Sequence, residues 1–535
     1  MRHACKRWIL SILALALAGT AAIARQQAPA SSESAPVQTN SAQQSQEKGT
    51  GIVPPGVKLQ SAMPAPSPPT AFHFPQAATN TLSNGLRIFV VSDHAVPAIA
   101  ARLVILSAGS IQDPPGMPGV AQMTANMLTQ GTSKRSAREI AEAIDFIGGS
   151  LDASASKDST TVMLDIVRKD LDTGLDLMSD VVLHPAFDPR ELGRQRQQLL
   201  SNLTVQYSDP EFLASVVFSR VVYGISPYGW PQDGTPETVE KLDQEDLAKF
   251  HGATYAPNRS LLAFAGDITP EEAFAAAQKY FGMWPKVEMA AAEPPAAPVP
   301  PSGRRIWLID KPDAVQTQIR VGTLGIRRGD PNFIPVAVMN RIFGGGYNSR
   351  LNTEVRVRKG LTYGAYSSFG PHRYAGSFVV GTFTKTASTV EATRLIVDLL
   401  ARMSSGDVAP EELSFAQDYL AGVYPIQSET AEQVANRVLT VAEFDLPKDY
   451  NSVYPARIRG VTLPQAREMA RRYLETKDLD IVLAGNVSAF RDALKKAFPG
   501  AQYVEIPFGQ IDVLAPGLRK PLETGTSPSS PASTK

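Results

Sequence analysis

Two pairs of landmarks recur in this chain at almost the same distance. Asp113-Pro114 and Asp330-Pro331 lie 217 residues apart, and Ala265-Gly266 and Ala484-Gly485 lie 219 apart. Their surroundings match. RLVILSAGSIQDPPGMPGVAQM, from Arg102, and RVGTLGIRRGDPNFIPVAVM, from Arg320, both read as a strand, an Asp-Pro turn and an apolar helix. LLAFAGDITPEEAFAAAQKYFG and DIVLAGNVSAFRDALKKAFPG both read as a strand, an Ala-Gly-Asp/Asn turn and an amphipathic helix. Offsets that agree so closely over so long a span mark the duplication of a unit of about 200 residues. The 535 residues are therefore expected to hold one plan written twice, although length alone would allow three or four domains.

Within the first unit, LRIFVVSD (Leu86 to Asp93) alternates loosely and reads as a strand. SAREIAEAIDFIGG opens on a capping box, Ser136 with Glu139, and closes on Gly148-Gly149. STTVMLDIV follows as a strand, LDTGLDLMSDVVLHP as a helix, and long helices begin near Asp188. Mixing of this kind, without strict β-α-β alternation, points to α+β sandwiches. The Pro/Ala-rich stretch AAAEPPAAPVPPSG (Ala290 to Gly303) divides the units, giving a linker over 287–303 between domains at 76–286 and 304–510. The Gln/Ser/Ala/Pro-rich residues 25–75 and the Pro/Ser/Thr-rich tail 511–535 read as disordered.

The first residues carry a targeting pattern. Arg2, Lys6 and Arg7 precede the apolar run WILSILALALAG, and Ala22-Ile23-Ala24 offers a small-x-small cleavage site, so residues 1–24 read as a secretory signal peptide. The sole cysteine, Cys5, falls inside it. The mature chain then has no disulfide and no thiolate ligand or nucleophile. A large secreted chain without cysteine suits a bacterial periplasm, the expected location. Lys+Arg and Asp+Glu both number 52, and this balance gives no electrostatic reason to bind nucleic acid or, once the signal is cut, an anionic membrane.

The Asp-Pro turn with its helix GVAQMTANML, together with NGLRIFVV, FGGGYNSRL and KGLTYGAYSSF, resembles the insulinase-type zinc peptidases, family M16, over about residues 76 to 510. The resemblance implies an α+β fold: two homologous α/β-sandwich M16 (LuxS/MPP-like) domains in tandem, half of a clamshell. In active members the helix carries His-x-x-Glu-His. The two histidines, one turn apart, bind zinc on one face, and the glutamate activates water. A further glutamate, about 75 residues on, is the third ligand in that family. Here the matching positions are Gln122, Ala125 and Asn126, and RQRQQLLSNL (Arg194 to Leu203), near the expected third ligand, has no carboxylate. The matching segment of the second unit, MNRIF (Met339 to Phe343), offers no replacement. The six histidines, His3, His73, His94, His184, His251 and His372, come no closer than 21 residues in sequence. No metal is expected in this chain.

The second unit retains other features. Gly344, Gly345 and Gly346 read as the end of a helix and a flexible loop, SRLNTEVRVRK as a basic helix begun by Ser349, and LTYGAYSSF as a strand presenting Tyr363 and Tyr366 to opposite sides. Taken alone, Arg356 and Tyr363 would pass for a surface salt-bridging arginine and a half-buried strand tyrosine. In M16 peptidases an arginine and a tyrosine seven residues apart hold the substrate at the zinc. Arg356 and Tyr363 have that spacing, and Arg358 is the rival for the arginine. A guanidinium can grip a substrate carbonyl, and a phenol can donate to a developing oxyanion. The resemblance thus implies a non-catalytic, substrate-binding subunit of a periplasmic heterodimeric zinc metallopeptidase, inactive alone. Its partner would be a catalytic M16 subunit carrying His-x-x-Glu-His and the zinc. Its substrates would be peptides or unfolded polypeptide, bound through Arg356, Tyr363 and Gly344 to Gly346. The alternative is a peptidase-derived pseudoenzyme that binds peptides or proteins in the envelope.

Overall fold

The computed structural model describes residues 72–288, 294–300 and 302–521. The expected signal peptide, nearly all of the 25–75 linker and the end of the tail lie outside the described residues. Short apolar runs, buried at nearly every position in the central strands, form two six-stranded mixed sheets. The first contains β1 (Ala78–Thr81), β2 (Arg87–Ser92), β3 (Ala98–Ile105), β4 (Ser150–Ala155), β5 (Thr160–Val167) and β6 (Ser260–Gly266), in the order β1-β2-β6-β3-β5-β4. The second contains β7 (Arg305–Asp310), β8 (Gln316–Leu324), β9 (Ala365–Pro371), β10 (Gly376–Lys385), β11 (Asp480–Gly485) and β12 (Gln502–Pro507), in the order β12-β7-β11-β8-β10-β9.

The duplication holds at the level of register. β2 runs parallel to β6 with Arg87 opposite Leu261, and β7 runs parallel to β11 with Arg305 opposite Asp480. Five strands of each sheet correspond in this way. The sixth does not: β1 enters from before its unit and pairs antiparallel with β2, whereas β12 comes from the end of the chain and pairs parallel with β7. The inner face of each sheet is covered by helices of its own unit. Ile88, Leu103, Met123 and Leu164 lie in the first core, and Leu308, Val321, Met339 and Leu483 in the second.

The outer faces are covered by exchange. The helix Pro210–Tyr223, from the first unit, lays Leu213, Val217 and Phe218 on Ile309, Val482 and Ala484 of the second sheet. The helix Ala431–Glu443, from the second unit, lays Val434, Val438 and Leu439 on Val104, Leu261 and Ala263 of the first. A buried arginine accompanies each. Arg102 on β3 binds Asp165 at 2.8 Å and reaches Glu432, in the first turn of the incoming helix, at 3.6 Å. Arg320 on β8 reaches Glu211, in the first turn of the other, at 3.2 Å. A guanidinium under each sheet thus meets a carboxylate carried in from the opposite half.

Two expected boundaries move. Phe74 is buried against the outer face of the first sheet, inside the stretch read as linker. Val513 and Leu518 are also buried, and Leu518 packs beside Ile309 and Ile506, so the described part of the tail belongs to the fold. Their apolar side chains close sheet faces that would otherwise meet water. Residues 294–300, within the expected inter-domain linker, have no regular structure.

Candidate functional site

The Asp-Pro turn sets the helix Val120–Leu128 by direct bonds. The Asp113 carboxylate accepts from the N–H groups of Gly119, at 2.9 Å, and Ala121, at 2.7 Å. Burial pushes this carboxyl up to about 7, while the two N–H groups and Lys157 pull it back. Gly119 caps the helix at φ 104°, a left-handed conformation suited to glycine. The helix places Gln122 and Asn126 one turn apart on one face. They satisfy each other: Gln122 Nε2 donates to Asn126 Oδ1 at 2.7 Å. Gln232 joins them, its Nε2 lying 3.3 Å from Gln122 Oε1 and 2.7 Å from the carbonyl of Ala155. Ala125 is fully buried. Three amides and a methyl group thus occupy the place that the resemblance assigns to zinc and its base.

The downstream segment adds no ligand. It lies in the helix Pro189–Ser208, where Glu191 is paired with Arg194 at 2.9 Å. Asp209, the next carboxylate, caps the following helix by accepting from Glu211 N–H. Among the described residues no group of three or more His, Cys, Asp or Glu could hold a metal ion. The residues present do not fit zinc. Metal analysis of the purified chain after dialysis is expected to find no stoichiometric zinc, and Gln122→His alone should restore none, because the second histidine and the carboxylate ligand are still missing. One tightly held zinc per chain would overturn this.

The second unit has a different character. A cavity of about 600 Å³ opens beside β9 and brings together Gly344, Gly345, Gly346, Arg356 and Tyr363, along with Tyr347, Tyr366, Phe383, Arg320 and Glu211. The helix Phe333–Phe343 stops at Gly344. The glycine run passes close to its neighbours, which leave little room for side chains there. A side chain at Gly344 would overlap Ser367, one at Gly346 would overlap the Arg341 guanidinium, and one at Gly345 would lie 3.0 Å from the Asn340 carbonyl. Ser367 N–H donates to the Gly344 carbonyl at 2.9 Å and fastens the run to β9.

Ser349 caps the next helix as expected, but after Asn352 the segment Thr353–Arg358 winds as a π-helix. Lys359 N–H bonds to the Glu354 carbonyl at 3.1 Å, five residues back. Such wide turns are rare and often sit at functional sites. This one carries Arg356 on the cavity side, with its guanidinium 4.9 Å from the centre of the Tyr347 ring. Arg356 has no ion-pair partner among the described residues, whereas Arg358 turns away to Glu354. Tyr363 precedes β9 and is 81% exposed. The strand alternation expected to separate it from Tyr366 therefore does not reach it, and both rings line the same cavity. Tyr363 lies 6.3 Å from Phe383, and Tyr366 lies over Gly381. A free guanidinium, a free phenol and aromatic walls can hold a peptide backbone and its side chains.

Sequence reasoning missed Gln232, Glu211 and Arg320. Arg320 and Glu211 are 109 residues apart and meet only through the exchange of helices. The Arg220 guanidinium lies 5.6 Å from the centre of the Trp230 ring, beside the buried Tyr228.

A family model described as insulinase (peptidase family M16) matches residues 87–225, and one described as the peptidase M16 inactive domain matches residues 241–420. Together they span more than half of the chain. An uncharacterized zinc protease of Mycobacterium leprae is 29% identical over 64% of this chain and 77% of its own length. A Helicobacter pylori protein named a non-peptidase homolog is 22% identical over 77% of this chain and 94% of its own. The crystal structure of a peptidase M16 inactive domain from Pseudomonas fluorescens superposes with a TM-score of 0.72 at 28% identity, covering 76% of this chain and 98% of that one. With both units matched and the helix at Gln122 stripped of ligands, the chain belongs to the M16 peptidase family as a non-catalytic member.

Proposed function

We propose that this chain is the substrate-binding subunit of a periplasmic, heterodimeric M16 zinc metallopeptidase. One observation carries the reading: an Arg356 without an ion-pair partner and an exposed Tyr363 line an open cavity, in a chain whose described residues hold no group of three or more metal ligands. A partner with His-x-x-Glu-His would supply zinc and its bound water. This chain would hold an extended peptide against them, with the guanidinium on a carbonyl and the phenol on the developing oxyanion. The basic-apolar-small pattern of residues 1–24 supports export. A tagged chain purified from its native host should bring down an M16 protein bearing the zinc motif, and the pair should cleave peptides in a chelator-sensitive way. Recovery of the chain with no such partner, from a host that makes one, would sink this reading. It would favour the second, a pseudoenzyme that binds peptides or proteins in the envelope, a reading in keeping with the similarity to the Helicobacter pylori non-peptidase homolog.

A further inference from the structure

A second cavity, about 230 Å³ in volume, lies among the helices Pro410–Ile426, Ala431–Glu443 and Tyr450–Arg459. Two arginines, Arg328 and Arg437, stand on its wall, and no carboxylate does. The Arg328 guanidinium sits among three aromatic rings, 4.1 Å from Phe333, 5.1 Å from Tyr450 and 5.9 Å from Phe444. It makes one side-chain hydrogen bond, from Nη2 to the Tyr450 hydroxyl at 3.3 Å. Its Nη1 is buried and has no partner. Arg437 lies 3.7 Å from the centre of the Tyr424 ring and donates to the Gln427 carbonyl. Neither arginine has an ion-pair partner among the described residues. Burial pushes the Tyr424 phenol up to about 12 and the Tyr454 phenol up as well, so both stay neutral at physiological pH and neither cancels the two positive charges.

A cation packed among aromatic rings, with one N–H buried and unused, is costly unless an anion completes it. We propose that this cavity binds a carboxylate between Arg328 and Arg437. A planar pair of oxygens matches the guanidinium fork, and the aromatic walls suit the carbon that bears it. Small-molecule sites usually run from about 300 to 1,000 Å³, so this one takes only the acid end of a ligand. Two sources share that chemistry, a peptide C-terminus and a free organic acid. The first gains from the surroundings. Arg341 lies 3.5 Å over Tyr419, on this cavity's wall, and donates to the carbonyl of Gly345, on the wall of the Tyr363 cavity, so one side chain links the two.

The test is calorimetric titration of the full secreted chain at low salt with succinate, a pentapeptide with a free C-terminus, its C-terminally amidated twin, and inorganic phosphate. A free carboxylate should bind, and the amidated twin roughly tenfold or more weaker. Arg437→Gln should weaken binding by a similar factor with an unchanged melting temperature, while Arg138→Gln, which removes an equal charge from an exposed helix, should not. Arg328→Met should abolish binding, and if it unfolds the chain the Arg437 variant still decides. Binding of the peptide alone assigns the site to chain ends, and binding of succinate alone to free acids. No binding by either at about 10 mM, phosphate bound as tightly as carboxylate, or unchanged affinity in Arg437→Gln would each overturn the proposal.

Discussion

Tyr363→Phe is expected, under the proposed function, to cut kcat of the proposed two-chain peptidase by about 10²–10³-fold, roughly 3–4 kcal/mol, without disturbing assembly. The substitution removes one hydroxyl and little volume. The ring is 81% exposed and its oxygen bonds to no described residue, so the fold loses nothing by the change. Any fall in rate would then report on the substrate. Arg356→Ala should act differently. It removes a guanidinium that lies over the Tyr347 ring and pairs with no carboxylate, so substrate holding should weaken and KM should rise. The comparison is peptide hydrolysis by the purified partner mixed with wild-type or variant chain, after gel filtration has shown equal complex formation. Wild-type rates from both variants would make this chain a scaffold that closes a chamber, and the Arg356/Tyr363 assignment would be wrong.

The plan of the fold was legible because a duplicated sheet repeats its register. A landmark at a strand end, such as Ala265-Gly266, returns at Ala484-Gly485 with the same neighbours. The departure from the family's zinc motif was legible because side-chain type decides it: the M16 resemblance puts histidines where Gln122 and Asn126 carry amides. The M16 resemblance favoured Arg356 over Arg358; in the structure Arg356 lines the cavity and Arg358 pairs with Glu354. Other features were not legible. Tyr363 was assigned to a strand that begins two residues later, because the run around it is equally rich in β-formers. Gly344 to Gly346 read as a helix end and loop, and the close approach of Asn340, Arg341 and Ser367 to that run is a tertiary fact. Glu211 could not be placed near Arg320 at all. The helix that carries it buries Leu213, Ala214, Val217, Phe218, Val221 and Val222, and such a pattern says that a helix is covered without saying by which sheet.

That exchange makes a further result expected: the two units should not fold apart. Residues 72–288 alone would expose Val104, Leu261 and Ala263 on the outer sheet face, together with the apolar side of the helix 210–223. Exposed apolar faces of that kind drive aggregation. Conversely, a chain nicked by protease within residues 294–300 should still elute as one body, because the exchanged helices hold it together. Phe218→Ala, at a residue only 4% exposed, should cost about 3–5 kcal/mol through lost burial and a cavity between the first unit's helix and the second unit's sheet. Because each sheet depends on the other unit's helix, the loss should appear in both. Hydrogen exchange should quicken together at β8 and β11, which the residue touches, and at β3 and β6, which it does not. Calorimetry should show one transition moved to lower temperature. Two separate calorimetric transitions, or faster exchange confined to the second sheet, would mean that the units are stable independently and that the exchanged helices only dock. The cavity shared by Glu211 and Tyr363 would then have to tolerate motion between the halves. Under the cooperative reading, Glu211 is held at 3.2 Å from Arg320 by the same helix that joins the units, so the cavity wall and the global stability rise and fall as one.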